Sequence, residues 1–326
     1  MVRMPKLDNL SEQPLVSIGI PTYYGEQTIN RALDSLISQT YTNFEIIISD
    51  DNSTDRTIEI CNEYKNKDSR LSLHCNSHRV GAVNNFNRTL QLSKGEFFFW
   101  NAQDDYRHAS YIEKCVARFL ADDTLVYCHS RYSDEVSGNK HSAKTHSISE
   151  IASVDDACRR FYSAYKSFIG STAFYGMYRR RQLGNKLLWQ DFIASECCIF
   201  NACLLEGGID EIEEILFFYS GRAQVRSIAE HYSFLSHTAK GSTFFSPYSR
   251  YVYESLKTVL SSSLTTWPKI KLGLILIRYE ALNVPTKLIF RGLRELFGAS
   301  VSNKFASAVN RRDLIPMQVG HRDKRN

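Results

Sequence analysis

Three groups of oxygen-rich side chains in this 326-residue chain directly follow short apolar runs. Pro21-Thr22-Tyr23-Tyr24-Gly25-Glu26 follows LVSIGI, Asp50-Asp51-Asn52-Ser53-Thr54-Asp55 follows FEIIIS, and Asn101-Ala102-Gln103-Asp104-Asp105 follows EFFFW. Carboxylates gathered in one place repel one another unless a cation is bound, and hard divalent cations take carboxylate oxygens. Further along, Asp191 and Glu196 stand at the entry to the apolar segment CCIFNACLL. Taken singly, each group also has an ordinary explanation. Asn52-Ser53-Thr54-Asp55 has the chemistry of a turn and helix N-cap, and Glu196 suits the first turn of a helix, where the dipole favours an anion.

The elements around these groups determine whether they meet. Leu15–Ile20, Phe44–Ser49 and Glu96–Trp100 read as buried strands, and Leu71–Cys75 and Leu125–His129 as further strands. Helical spacing of Ile29, Ala32, Leu33, Leu36 and Ile37 predicts an amphipathic helix over Glu26–Ser38. Thr54–Asn66, Val83–Leu92 (with Gly95 as its C-cap) and Ser110–Leu120 read as helices. Alternating strands and helices with short connections predict parallel β-structure covered by helices on both faces. In such sheets ligands bind beyond the C-terminal strand ends, so all three acidic groups are expected on one sheet edge. Past residue 130, Ser133–Ile148 reads as a loop, Asp155–Tyr165 as a helix, Ser171–Tyr178 as a strand, Ser195–Leu205 as a helix and Glu214–Ser220 as a strand.

The run VSIGIPTYYGEQTINRALDSLISQTYTNFEIIISDDNSTDRT closely resembles the opening of family 2 glycosyltransferases, with Tyr24 in place of the usual Asn after P-T-Y. Val80-Gly81-Ala82-Val83-Asn84-Asn85 approximates the family's G-x-x-x-A-R-N segment without its Arg, and Gln103-Asp104-Asp105 stands where the D-x-D-type motif belongs. The resemblance is strong over Leu15–Asp105 and weaker to about Gly221. It implies an α/β fold of GT-A type: a mostly parallel nucleotide-binding sheet flanked by helices, here with a helical C-terminal tail. The chain is expected to divide into an N-terminal extension (1–14), a nucleotide-sugar-binding half (15–130), an acceptor-binding half (131–232) and a helical basic region (233–326).

The resemblance also implies an inverting transfer of one sugar from a nucleotide-sugar donor, a UDP-sugar by default, to a saccharide or lipid-linked saccharide. Pro21 and Tyr23 would line the nucleobase pocket, with Asp51 accepting from the base and Asp50 supporting it. Glu26, Gly81 and Asn85 join this donor-binding set, with Asp104 near ribose and diphosphate. Asp105 would carry Mg²⁺ or Mn²⁺. Glu196 is the candidate base and Asp191 its alternative. Arg222, Arg226 and His231 stand where relatives place groups near the diphosphate, at altered spacing, and a guanidinium fork suits phosphate oxygens.

Composition narrows the alternatives. PTYYGEQ has one Gly and no Lys or Arg, which argues against a nucleotidyltransferase phosphate loop; intact Asp51, Asp104 and Asp105 argue against a non-catalytic scaffold. The Q-x-x-R-W motif of processive synthases is missing from the sequence, as is any long apolar run. The eight cysteines form no CxxC pair and read as reduced core thiols. MVRMPKLDNLSEQP has no apolar signal core, so the expected location is cytoplasmic. Net charge is uneven: residues 267–326 hold 5 Lys, 7 Arg and 4 acidic residues, hence +8, leaving 5 − 8 = −3 for residues 1–266. That asymmetry points to a polyanionic surface, either membrane or nucleic acid; with the amphipathic pattern of Thr286–Phe297 the expected partner is an anionic membrane surface, contacted peripherally, and not nucleic acid.

Overall fold

The computed structural model describes residues 13–134, 144–167, 173–192, 195–220 and 247–278. In chain order these form β1 (Val16–Thr22), α1 (Ile29–Ile37), β2 (Phe44–Asp50), α2 (Thr57–Lys67), β3 (Leu71–Cys75), α3 (Ala82–Leu92), β4 (Phe97–Trp100), β5 (Tyr106–Arg107) and α4 (Tyr111–Ala121). There follow β6 (Leu125–Asp134), β7 (Lys144–His146), α5 (Ser149–Ala152), α6 (Ala157–Ser167), β8 (Met177–Arg179), α7 (Arg180–Leu183), α8 (Ser195–Glu206), β9 (Gly208–Tyr219) and α9 (Pro247–Ser261).

The strands form one sheet in the order β3-β2-β1-β4-β8-β6-β9-β5, with β7 on β6. Its first four strands are parallel. β1, β2 and β4 are buried along almost their whole length, as strands covered on both faces must be. Ile18, Ile20, Ile46, Ile48, Phe97 and Phe99 meet the inward faces of α1 and α4 in one core. Thr22 pairs with Asp50, so β1 and β2 end level. β4 ends sooner, with Trp100 opposite Gly19, and the segment after it crosses over the end of β1. That short register also explains Pro21 inside a central strand. Beyond Gly19 the β4 side of β1 has no ladder for a missing N–H to break.

The other half of the sheet is mixed rather than parallel. β8 runs antiparallel to both β4 and β6 and separates them; β9 is parallel to β6, and β5 antiparallel to β9. The expected Ser133–Ile148 loop contains β7, whose Lys144–His146 pair with Tyr132–Asp134. The expected strand at Ser171–Tyr178 is instead a 3₁₀ turn, Ala173–Tyr175, followed by the short β8. Gly95 does not cap α3, whose C-cap is Ser93 in extended conformation. Its need for hydrogen is steric, since a Cβ would stand 2.7 Å from the Leu15 carbonyl oxygen and the Ser17 nitrogen.

All eight cysteines are free; Cys75 is exposed, Cys158 is intermediate and the other six are buried. Among the described residues no helix is long and apolar enough to cross a membrane. The chain divides into two compact units, Met1–Gly273 and Leu274–Asn326. Arg222, Arg226, His231 and Thr286–Phe297 lie outside the described residues.

Candidate active site

At the end of β2, Asp50 is fully buried. Its carboxylate accepts from the Ser53 N–H (2.8 Å), the Ser53 hydroxyl (2.6 Å) and the Thr22 hydroxyl (3.0 Å). Asp50 therefore ties the β2 turn to β1, where charge-assisted bonds offset its burial. Asp51 turns the other way. It accepts from the backbone N–H groups of Val80 (2.7 Å) and Gly81 (2.9 Å) and from the Asn76 amide (3.1 Å). The loop before α3 is thus held on one carboxylate, and Gly81 sits there at φ 87°, a conformation that favours glycine.

Asn85, on α3, donates to the carbonyls of Thr22 (3.2 Å) and Ser49 (2.8 Å) and accepts from the Ser49 hydroxyl (2.7 Å) and the Asn76 amide (3.2 Å). All four of its hydrogen-bonding positions are filled by protein, which makes it a stitch between β1, β2 and α3.

Past β1, Pro21 is buried within the strand and Tyr23 lies half-buried beyond it. The Arg79 guanidinium stands 4.4 Å from the centroid of the Tyr23 ring, a cation at this end of the site that sequence reasoning missed. Tyr24 has φ 51°; its N–H donates to the Ser53 hydroxyl (3.0 Å). Glu26 accepts from the Arg56 N–H (3.1 Å). Glu26, Gln27 and Thr28 line a cleft of about 290 Å³ together with Asp55, Gln103 and Asp104.

The Gln103 side chain brings the third acidic group over β1, accepting from the Tyr23 N–H (2.9 Å) and donating to the Tyr23 carbonyl (3.1 Å). Below it, Asn101 donates to the Asp105 carbonyl (3.0 Å) and accepts from Arg107 Nε (2.9 Å). Arg107 is buried under the turn, near the rings of Phe99, Tyr111 and Phe217, and donates to the Tyr175 carbonyl (2.8 Å). Burial and the charge of Arg107 push the buried His129 well below the usual imidazole range, so the guanidinium has a neutral neighbour there.

Asp105 is 1% exposed. Its Oδ1 accepts from the Ser220 N–H at 2.9 Å, and its buried Oδ2 has no hydrogen-bond partner among the described residues. Burial, aided by the Asp104 charge, pushes the Asp105 carboxyl well above the usual carboxylate range, against the pull of the Ser220 N–H, Arg107 and Arg31. A buried carboxylate oxygen with no donor is costly unless protonated or cation-bound. As a hard oxygen ligand next in sequence to the cleft-lining Asp104 it fits Mg²⁺ or Mn²⁺. Among the described residues no three His, Cys, Asp or Glu side chains cluster as a metal cage, so the remaining ligands of such an ion would come from outside that set.

Glu196 lies on the first turn of α8, a helix buried nearly all round and packed against α6 and α9. Burial holds its carboxyl above the usual range. Asp191, in the turn before α8, is half-buried and its Oδ1 lacks a partner among the described residues. The group that relates Glu196 to the β4 turn is Tyr175. After burial itself, the charges that raise its hydroxyl most are those of Asp105, Tyr219, Asp104 and Glu196. Charges from the turn after β4, from β9 and from α8 thus act on one hydroxyl. No motif in the sequence marked Tyr175, because its part depends on the 3₁₀ turn that carries it.

The family model "Glycosyl transferase family 2" matches the chain over residues 17–198. The chain is 38% identical over 118 residues, 36% of its length and 46% of the relative's, to the Escherichia coli UDP-Glc:alpha-D-GlcNAc-diphosphoundecaprenol beta-1,3-glucosyltransferase WfaP. It spans less than half the length of the first curated relatives it matches. Among solved structures, S. aureus TarS 1-349 in complex with UDP-GlcNAc superposes with TM-score 0.59 at 18% identity, covering 81% of this chain and 72% of that one. The Pyrobaculum calidifontis mannosyltransferase PcManGT, in complex with GDP-Man and Mn2+, gives TM-score 0.52 at 14% identity, covering 91% and 80%. These likenesses show a GT-A fold.

Proposed function

Because the chain belongs to glycosyl transferase family 2, we propose that it transfers one sugar, with inversion, from a nucleotide-sugar donor to a saccharide or lipid-linked saccharide acceptor. The observation that carries this reading is the buried Asp105 carboxylate with an oxygen that has no partner among the described residues, in the turn after β4 that Gln103 ties to Tyr23, at the sheet edge where β1 and β2 also end, just before Tyr23 and Asp51. UDP is the default nucleotide, supported by the UDP-GlcNAc complex of TarS and the UDP-Glc donor in the name of WfaP. The same WfaP name, with its diphosphoundecaprenol acceptor, supports a lipid-linked acceptor, and surface polysaccharide synthesis is the setting proposed for the reaction.

In this reading Tyr23 and Asp51 receive the nucleobase, and Asp104 the ribose and diphosphate. Asp105 holds Mg²⁺ or Mn²⁺ through its unpartnered oxygen. When bound, such a cation supplies positive charge to the diphosphate leaving group. Glu196 takes the proton of the acceptor hydroxyl as that oxygen attacks the anomeric carbon, and its raised proton affinity suits a base. Arg222 remains a proposed phosphate ligand. The protein would work at the cytoplasmic membrane face, held there by its basic C-terminal region.

The deciding experiment incubates the purified protein and Mn²⁺ with a panel of sugar nucleotides, read by thermal shift and donor hydrolysis. Stabilisation and hydrolysis by one donor class support the reading. No response to any sugar nucleotide, with the protein folded, removes it.

A further inference from the structure

Arg31 lies on the exposed side of α1, between the exposed Asn30 and the buried Ala32 and Leu33. A long cation at such a position ordinarily keeps its head group in water. Here the guanidinium stands 4.5 Å from the centroid of the Tyr106 ring. Its Nη2 donates to the Asp104 carbonyl at 2.8 Å and to the Ser220 hydroxyl. Tyr106 in turn stacks on Phe218 across the β5–β9 pair, with centroids 4.6 Å apart and planes 5° from parallel. Ser220 follows β9 directly and donates its N–H to Asp105 Oδ1. One side chain therefore touches the residue before Asp105, the residue after it, and the residue whose amide holds the Asp105 carboxylate.

We propose that Arg31 is a positioning residue for the cation site, clamping the Asp104–Tyr106 turn to Ser220 so that the free oxygen of Asp105 is held at a fixed orientation. The proposal rests on the reading of Asp105 as a cation ligand. It predicts a role that α1's sequence alone conceals, because Asp104, Tyr106 and Ser220 are 73 or more residues from Arg31 along the chain and meet it through the β5–β9 pairing. Groups that orient a metal ligand typically alter metal affinity without themselves touching the ion. A guanidinium can both stack on Tyr106 and donate from its edge, whereas an ammonium can only donate.

The test measures Mn²⁺ affinity of the full chain in the presence of UDP, from the electron paramagnetic resonance signal of free Mn²⁺, alongside the melting temperature. Arg31→Ala is expected to weaken Mn²⁺ binding about tenfold while shifting the melting temperature by no more than about 2 °C. Arg31→Lys is expected to fall between Arg31→Ala and the parent chain, because the bonds to the Asp104 carbonyl and the Ser220 hydroxyl come from one nitrogen while an ammonium cannot stack on Tyr106. Unchanged Mn²⁺ affinity in Arg31→Ala overturns the clamp. So does a loss of affinity matched by a large fall in melting temperature, which would mark general loosening. Asp105→Ala separates the two levels. If it loses Mn²⁺ while Arg31→Ala retains it, only the clamp fails; if it retains Mn²⁺ itself, the cation-ligand reading fails and the clamp with it.

Discussion

Asp105 and Glu196 are carboxyl groups that burial drives toward the protonated form, and the two differ in what would draw the proton away. For Asp105 it is a cation: metal binding displaces protons from its ligands. Asp105→Ala is expected to lose nearly all transfer activity, and EDTA should do the same to the parent protein; full activity in EDTA would remove the metal-dependent reading. In the role proposed for Glu196 the charged form is the base, so turnover should rise with pH through its raised titration range. Glu196→Gln should keep donor binding and lose turnover. Normal turnover there, with a dead Asp191→Asn, would move the role to Asp191. Stability supplies an independent check. A carboxyl whose folded pKa is raised penalises folding once pH exceeds that pKa, and the penalty vanishes below the unfolded value. Glu196→Gln should therefore melt at or above the parent temperature at pH 7, and the gap should close as pH falls through the carboxylate range. A variant that melts lower at pH 7 would contradict a desolvated glutamate.

The strands and helices that carry these residues differ in how far the sequence announces them. β1, β2 and β4 are apolar runs ended by turn residues, and α1 and α4 have apolar faces at helical spacing, so the order of residues alone places the three acidic groups on one edge. β5, β7 and β8 are two or three residues long. Strands so short show no periodicity of their own and exist through partners far along the chain, so β6 and β9 were legible as strands while the mixed pairing around them was not. The same holds for the site. Asp51, Asp104, Asp105 and Glu196 stood out by type and position, whereas Tyr175, Arg79 and Arg31 reach it through tertiary pairing. Gly19 illustrates an element-level constraint that sequence could not show. In β1 a Cβ there would stand 2.4 Å from Thr89 Oγ1 and 2.9 Å from the Phe98 ring, so α3 and β4 pack directly on bare backbone. Gly19→Ala is expected to destabilise by about 1–3 kcal/mol through overpacking, measurable as a lower denaturation midpoint at an unchanged slope. An unchanged midpoint would mean that α3 can move aside freely.

At the scale of the whole chain, charge separates along the sequence, −3 over residues 1–266 against +8 over residues 267–326. The boundary falls close to Ser263, whose N–H and hydroxyl reach Glu206 Oε1 (3.2 Å) and the Leu205 carbonyl (3.3 Å) at the end of α8. Just beyond it Trp267 is 73% exposed, a residue type that favours membrane interfaces. A basic segment contributes about 1 kcal/mol per Lys or Arg near an anionic lipid surface, and the reach of that attraction shrinks to about 8 Å at physiological salt. The full chain is therefore expected to float with anionic vesicles at low salt and progressively less as salt rises, with buried apolar residues leaving a salt-resistant fraction. A chain ending at Ser263 should stay in the aqueous fraction yet keep donor binding, since Tyr23, Asp51, Asp104 and Asp105 all precede that point. Equal flotation of both proteins, or flotation of neither at low salt, would mean that the basic region does not anchor the enzyme. The acceptor would then have to be recruited by the sheet-edge site alone.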